Sequence, residues 1–214
     1  MILSSYGHAK FLLETAEGLR IVTDPFDAST GYPVPPLRAD AALVSHHHHD
    51  HDAVDTVQGV QKVVDTAGTH QLSPGTRVTA LPSFHDPEGG KLRGSNLVFV
   101  VESEGLRVVH CGDLGHLPDD QLVKAIGRVD VLLVPVGGHF TIDARQAKAV
   151  CELLRPRIIV PMHYRTQYNA GWPIAPVDDF LSLFPQPAEE VSLLRVTAGD
   201  LDCQPPLVLL KPVF

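Results

Sequence analysis

Five histidines and one aspartate fill the six positions His46-His47-His48-His49-Asp50-His51. Imidazole and carboxylate are ligands for zinc and similar divalent ions, so this stretch is a candidate metal site. It is interior, broken by Asp50 and joined directly to the apolar run Ala41-Ala42-Leu43-Val44. Those features separate it from a purification tag and from a solvated histidine-rich loop. The pattern His-x-His-x-Asp-His has one register here: His46, His48, Asp50 and His51. On extended backbone His46 and His48 share one side and His47 takes the other. The first pair is expected to grip one ion, while Asp50 and His51 reach a second. His47 and His49 then serve as supporting or solvent-facing groups.

The surrounding elements must hold this run in place. Residues 1–23 read as strands, with a hairpin of Phe11–Leu13 and Leu19–Thr23. Residues 24–40 are rich in proline and small residues and form a long loop, with Asp24 as a turn former before Pro25. The histidine run sits between a buried strand and a predicted helix over 53–58. Short strands follow at 61–64 and 77–81, with His70 in the loop between them. Residues 88–96 are a glycine-rich loop whose Gly-Gly-Lys lacks the other residues of a P-loop, so nucleotide binding is excluded there. A strand pair at 97–101 and 106–109 leads into alternating helix and strand. Helices are expected at 122–126, 144–154 and 177–184, with Thr141 or Asp143 capping the second and Asp178 or a neighbour the third. Strands are expected at 129–136, 157–162, 191–196 and 207–210.

In that layout His46, His85, Asp113 and His163 each stand just past the carboxyl end of a strand. Strand ends on one side of a layered α/β sheet line a common crevice, where ligands bind. Pro82, Pro135 and Pro161 have no N–H to donate, so the ladders are expected to fail there and free the residues that follow. His139, after Pro135, is a weaker candidate for the rim of the crevice. His110 on extended backbone points away from Asp113 and is expected to be a buried partner.

A length of 214 residues with 44% hydrophobic and 20% charged residues fits one globular domain over 1–214 with an ample core. The net charge of −8 supplies no basic footprint for tracking a nucleic-acid backbone. Cys111, Cys151 and Cys203 are odd in number and form no CxxC, so a disulfide framework and a thiolate zinc site are not indicated and a cytoplasmic location is expected. No apolar run approaches a membrane span. A homo-oligomer stays open.

Taken together, His46-x-His48-x-Asp50-His51, His85, Gly112-Asp113 and His163 resemble the ordered signature of the metallo-β-lactamase superfamily. Gly7-His8-Ala9, Thr23-Asp24-Pro25, Gly112-Asp113-Leu114-Gly115, Pro135-Val136-Gly137-Gly138 and Pro161-Met162-His163-Tyr164 are similar to the branch of compact metal-dependent hydrolases that includes L-ascorbate 6-phosphate lactonase. The resemblance implies a four-layer αββα sandwich, an α/β (α+β) fold with the metals at one edge. It also implies that one metal takes His46, His48 and His85, that a second takes Asp50, His51 and His163, and that Asp113 bridges them. His8 becomes a group near the substrate.

Two divalent ions, zinc first and manganese or iron(II) as alternatives, would share a water and lower its pKa from near 16 to about 7. The resulting hydroxide attacks a carbonyl or phosphorus, so no protein nucleophile is needed. Asp50 orients that water or returns a proton. Two dications, two ligand carboxylates and one hydroxide leave about +1 in the pocket, which favours a small anionic ester, phosphodiester or lactone. Lys91, Arg93 and Tyr164 adjoin ligand segments and are candidates for holding the anion. Two rivals stay open: a nucleic-acid-processing hydrolase on the same fold, and a non-catalytic or redox di-metal protein.

Overall fold

The structure is a computed structural model that describes all 214 residues. The chain begins with a meander of β1 (Ile2–Ser5), β2 (Phe11–Glu14) and β3 (Arg20–Thr23), each antiparallel to its neighbour. After β4 (Leu37–Arg38), strand β5 (Ala41–Leu43) adds parallel to β3. Then β6 (Val57–Gln58) pairs with β4, and β7 (Lys62–Val64) adds parallel to β5. The second sheet starts with β8 (Gly68–Ser73), β9 (Thr76–Phe84), β10 (Ser95–Ser103) and β11 (Leu106–His110), all antiparallel. Helix α1 (Asp120–Ile126), strand β12 (Val131–Pro135), helix α2 (Ala144–Leu154) and strand β13 (Ile158–Met162) extend it by parallel crossovers. Past α3 (Asp178–Leu181), strand β14 (Glu189–Val191) pairs with β16 (Val208–Leu210), while β15 (Leu194–Arg195) closes the edge of the first sheet against β1.

The two six-stranded sheets have the orders β15-β1-β2-β3-β5-β7 and β13-β12-β11-β10-β9-β8. Alternation in the first sheet separates two cores. Leu3, Phe11, Leu13, Ile21 and Leu43 join the main core with residues of the second sheet, whereas Leu12, Val22 and Ala42 point outward under Leu37 and Val57. Helix α2 covers the second sheet with Ala147, Val150, Cys151 and Leu154 buried, and Asp143 caps it in a full capping box with Gln146. On the first sheet the covering layer is the β4–β6 ribbon and its loops.

Several local expectations need correction. Residues 53–58 form a single 3-10 turn, Val54–Thr56, and then β6; the Thr56 hydroxyl donates to the Ala53 carbonyl at 2.7 Å, closing the turn before an α-helix can propagate. His70 lies inside β8 rather than in a loop. The third helix shrinks to residues 178–181, and Asp178 makes no cap. The segment 191–196 divides because its two ends serve different sheets.

The three prolines do not end their ladders. Pro82 pairs with Leu97, whose amide turns to the Ser45 carbonyl instead. Pro161 pairs with Val134 on edge strand β13, where Ile159, two residues earlier, donates outward to the Pro206 carbonyl. Pro135 pairs with Met162 and sits beyond the last residue of β11. Each missing N–H thus falls where the sheet offers no acceptor.

Candidate metal centre and active site

The strand ends do converge. His46 follows β5, His85 follows β9, Asp113 follows β11 and His163 follows β13. Three overlapping side-chain groups result, each with ligand atoms within 4.8 Å of one another: His46, His48 and His85; then His8, Asp50, His51 and His163; and His46, His51 and Asp113, which joins the first two. Asp113 lies between them. Its Oδ2 is 3.1 Å from both His85 Nε2 and His163 Nε2, and its Oδ1 is 3.4 Å from His51 Nε2.

These donors fit a divalent cation better than they fit each other. His46 Nε2, His51 Nε2, His163 Nε2 and Asp113 Oδ1 are buried without a hydrogen-bond partner. Leaving such atoms unpaired costs about 1–3 kcal/mol each, and a metal ion satisfies them together. The far side of two of these rings, His46 and His51, is already committed, whereas His163 Nδ1 is also buried without a partner. His46 Nδ1 lies 2.9 Å from Ser45 Oγ and His51 Nδ1 lies 2.9 Å from Asp24 Oδ2, so both rings turn Nε2 inward.

Asp24 anchors this arrangement; in the sequence it reads as a turn former, and Thr23-Asp24-Pro25 contributes to the family resemblance, but it has no assigned role at the site. It is fully buried and accepts from the Ser45 amide at 2.7 Å and the Ser45 hydroxyl at 2.8 Å, as well as facing His51. Burial alone would raise its pKa, but His51 beside it holds the carboxyl below its ordinary value. Burial likewise works against ionised Asp113, and His163 and His51 reverse that effect. For His51, burial opposes charge and the flanking Asp113 and Asp24 draw a proton on. The cluster is therefore a well of negative potential, the electrostatic complement of a bound cation.

His8 is buried on the β1–β2 turn, with Nε2 3.1 Å from Asp50 Oδ2. Burial pushes its pKa down to about 4, so the neutral ring donates to the carboxylate. Burial favours protonated Asp50, and the His51 ring close by together with the hydrogen bond from His8 overcomes it, which holds this carboxyl well below its ordinary value. His47 and His49 stay exposed; the nearest carboxylate to His47 Nδ1 is Asp52, at 3.5 Å. His110 is buried, as expected, with Nε2 2.9 Å from the Ala9 carbonyl and Nδ1 accepting from the Gly112 amide.

A pocket of about 490 Å³ opens over the cluster. Its floor includes Asp50, Asp113 and His163, and Arg93 is the one Lys or Arg in its wall. Asp86, next to His85, was not singled out from the sequence. Its carboxylate accepts from the amides of Glu88, Gly90, Leu92 and Arg93 at 2.8–3.0 Å, folding the glycine-rich loop so that Arg93 reaches the pocket. Lys91 is exposed and lies outside that wall. Tyr164 is also outside it. The chain turns at His163 through a left-handed φ of 53°, and Tyr164 lines a separate void of about 10 Å³, where burial raises its phenol pKa. His139 is exposed and absent from the pocket, whereas Phe140, Trp172 and Ser29 do line it. No periodicity marked these three residues.

Residues 2–163 match the family described as a beta-lactamase superfamily domain. A metal-dependent hydrolase from Carboxydothermus hydrogenoformans is 35% identical over 83% of this chain and 88% of its own. Among solved structures, a candidate zinc-dependent hydrolase of the metallo-β-lactamase superfamily from Thermotoga maritima is 38% identical, covers 98% of each chain and superposes with a TM-score of 0.80. A metallo hydrolase from Ignicoccus hospitalis shares the fold at 22% identity and a TM-score of 0.68.

Proposed function

Because this chain belongs to the metallo-β-lactamase superfamily and is a metal-dependent hydrolase, we propose that residues 1–214 act as one domain holding two divalent cations, zinc foremost, and hydrolysing a small anionic ester, phosphodiester or lactone. The observation that carries this reading is the position of Asp113, within 3.1–3.4 Å of histidines from both ligand groups. One metal is assigned to His46, His48 and His85 and the other to Asp50, His51 and His163, with Asp113 shared. Bound cations at such a site supply hydroxide from water at neutral pH and offset charge on the substrate oxygen.

The chain's own groups do the rest. His8 holds the Asp50 carboxylate through Oδ2, and Asp50, besides serving as a ligand, orients the attacking water or returns a proton to the leaving group. Arg93 binds the substrate anion from the pocket wall. A small-molecule substrate suits a pocket of this volume, and no helix of the chain is long and apolar enough to cross a membrane.

The test is metal content together with turnover of an aryl phosphodiester and a lactone. Asp113→Ala should lose bound metal and turnover, while His47→Ala, with a side chain 66% exposed, should keep both. Equal damage from the two changes sinks the assignment. Iron without turnover would support the redox alternative instead, and RNA binding that weakens steeply with salt would support the nuclease.

A further inference from the structure

Beside the imidazoles the pocket is lined by two aromatic rings. Phe140 and Trp172 meet edge to face with centroids 6.4 Å apart, and Trp172 meets the His8 ring at 5.1 Å and 77°. Both rings are only half-buried, so their remaining faces belong to the pocket. Each of the aromatic faces left open this way is a surface that water wets poorly and a flat apolar group covers well.

This wall is built rather than incidental. The Trp172 amide donates to the Asn169 carbonyl at 2.9 Å, and Ala175 donates to the Gly137 carbonyl at 2.7 Å. The Thr166 hydroxyl donates to the Tyr32 hydroxyl at 2.9 Å, tying the Trp172 loop to the loop before β4. Gly31 packs so closely there that an added Cβ would lie 2.2 Å from the Tyr168 carbonyl oxygen. At the other end, the Arg93 guanidinium stands 5.9 Å from the Phe140 centroid. An aromatic face and a guanidinium on a loop held by Asp86 thus flank the carboxylate and imidazole floor.

We propose that the substrate joins a flat apolar ring to an anionic group: the ring lies against Trp172 and Phe140, and the anion lies beside Arg93. This selects aryl-bearing anions within the substrate range proposed above and rests on that reading for the chemistry, although the recognition itself is read without turnover.

Trp172 is the single tryptophan of the chain, so its fluorescence reports the pocket directly. Titrating the metal-loaded protein with benzenesulfonate and with ethanesulfonate, both inert anions, should give quenching by the first at about tenfold lower concentration. By calorimetry, Trp172→Leu should bring the ratio of the two affinities near one, Trp172→Phe should keep most of it, and Arg93→Gln should weaken both ligands by about tenfold without changing the ratio. Equal affinity for the two sulfonates, or an aryl preference that survives Trp172→Leu, overturns the proposal. Aryl preference in a protein that hydrolyses no ester supports this inference and counts against the hydrolytic reading alone.

Discussion

The backbone N–H of His163 donates to the carbonyl of His8 at 3.1 Å, and both residues adopt a left-handed φ of 53°. Their rings lie 4.2 Å apart. The first turn of the chain and the last of the assigned ligands are thereby set against one another. Non-glycine residues hold that conformation at a cost, which the surrounding contacts must outweigh. Replacing His8 by Ala removes the donor from Asp50 Oδ2. Turnover should fall about 10–100-fold while the protein stays folded, and metal analysis with steady-state rates on the same sample would check it. Unchanged turnover would remove His8 from the site.

Asp24 should be as sensitive as a ligand although it is assigned to no metal. Asp24→Asn keeps the volume but weakens the hold on His51 Nδ1, so affinity for metal should drop about 10–100-fold. Competition with a chromogenic chelator measures that drop. Asp24→Ala, which strands the Ser45 amide and takes one of the two partners of its hydroxyl, should lower stability by about 3–5 kcal/mol in denaturant melts.

Gly115 packs directly on the backbone that carries His85. A Cβ there would fall 2.2 Å from the His85 carbonyl carbon and 2.3 Å from the Asp86 nitrogen, neither of which can swing aside. Gly115→Ala should cost about 3 kcal/mol and loosen metal binding in the fraction that folds. A melt within 0.5 kcal/mol of the parent, an estimate of ordinary surface effects, would contradict this packing.

The cysteines divide by exposure. Cys203 is exposed and Cys111 and Cys151 are buried, so one thiol per native chain should react with an alkylating reagent and three after unfolding. Burial pushes the Cys151 thiol up to about 12 from 9.0. A folded value above the unfolded one means the native state keeps its proton longer. Its contribution to stability is intact below pH 9 and declines as pH rises from there towards 12; Cys111, raised by burial too, adds to that decline, so in melts across that range Cys151→Ala should make the fall in stability shallower without abolishing it.

Much of the site was legible because histidine and carboxylate are conspicuous and strand ends are readable from apolar runs. His46, His85, Asp113 and His163 needed only that reasoning, while Thr141 and Asp143 stayed equal as helix caps until the capping box with Gln146 picked out Asp143. Asp24 and Asp86 were not legible, since their importance lies in which amides they accept, and an Asp before a proline or a loop looks the same as any turn former. Tyr164 and Lys91 were selected for adjacency in the chain, yet a left-handed residue at 163 and a loop wrapped on Asp86 send their side chains elsewhere. Trp172 and Phe140 belong to loops whose approach to the pocket is set by distant contacts such as Thr166 with Tyr32.

The proposed ligands are drawn from both sheets: His46, His48, Asp50 and His51 hang from the first, and His85, Asp113 and His163 from the second. An ion gripped by both works as a rivet through the seam of the sandwich. Occupancy and cohesion are then one equilibrium, so midpoint temperature should climb with free metal as the logarithm of its concentration. Stripping the ion would unbutton the sandwich from that rim inward, and neither half of the chain owns a complete socket with which to close it again.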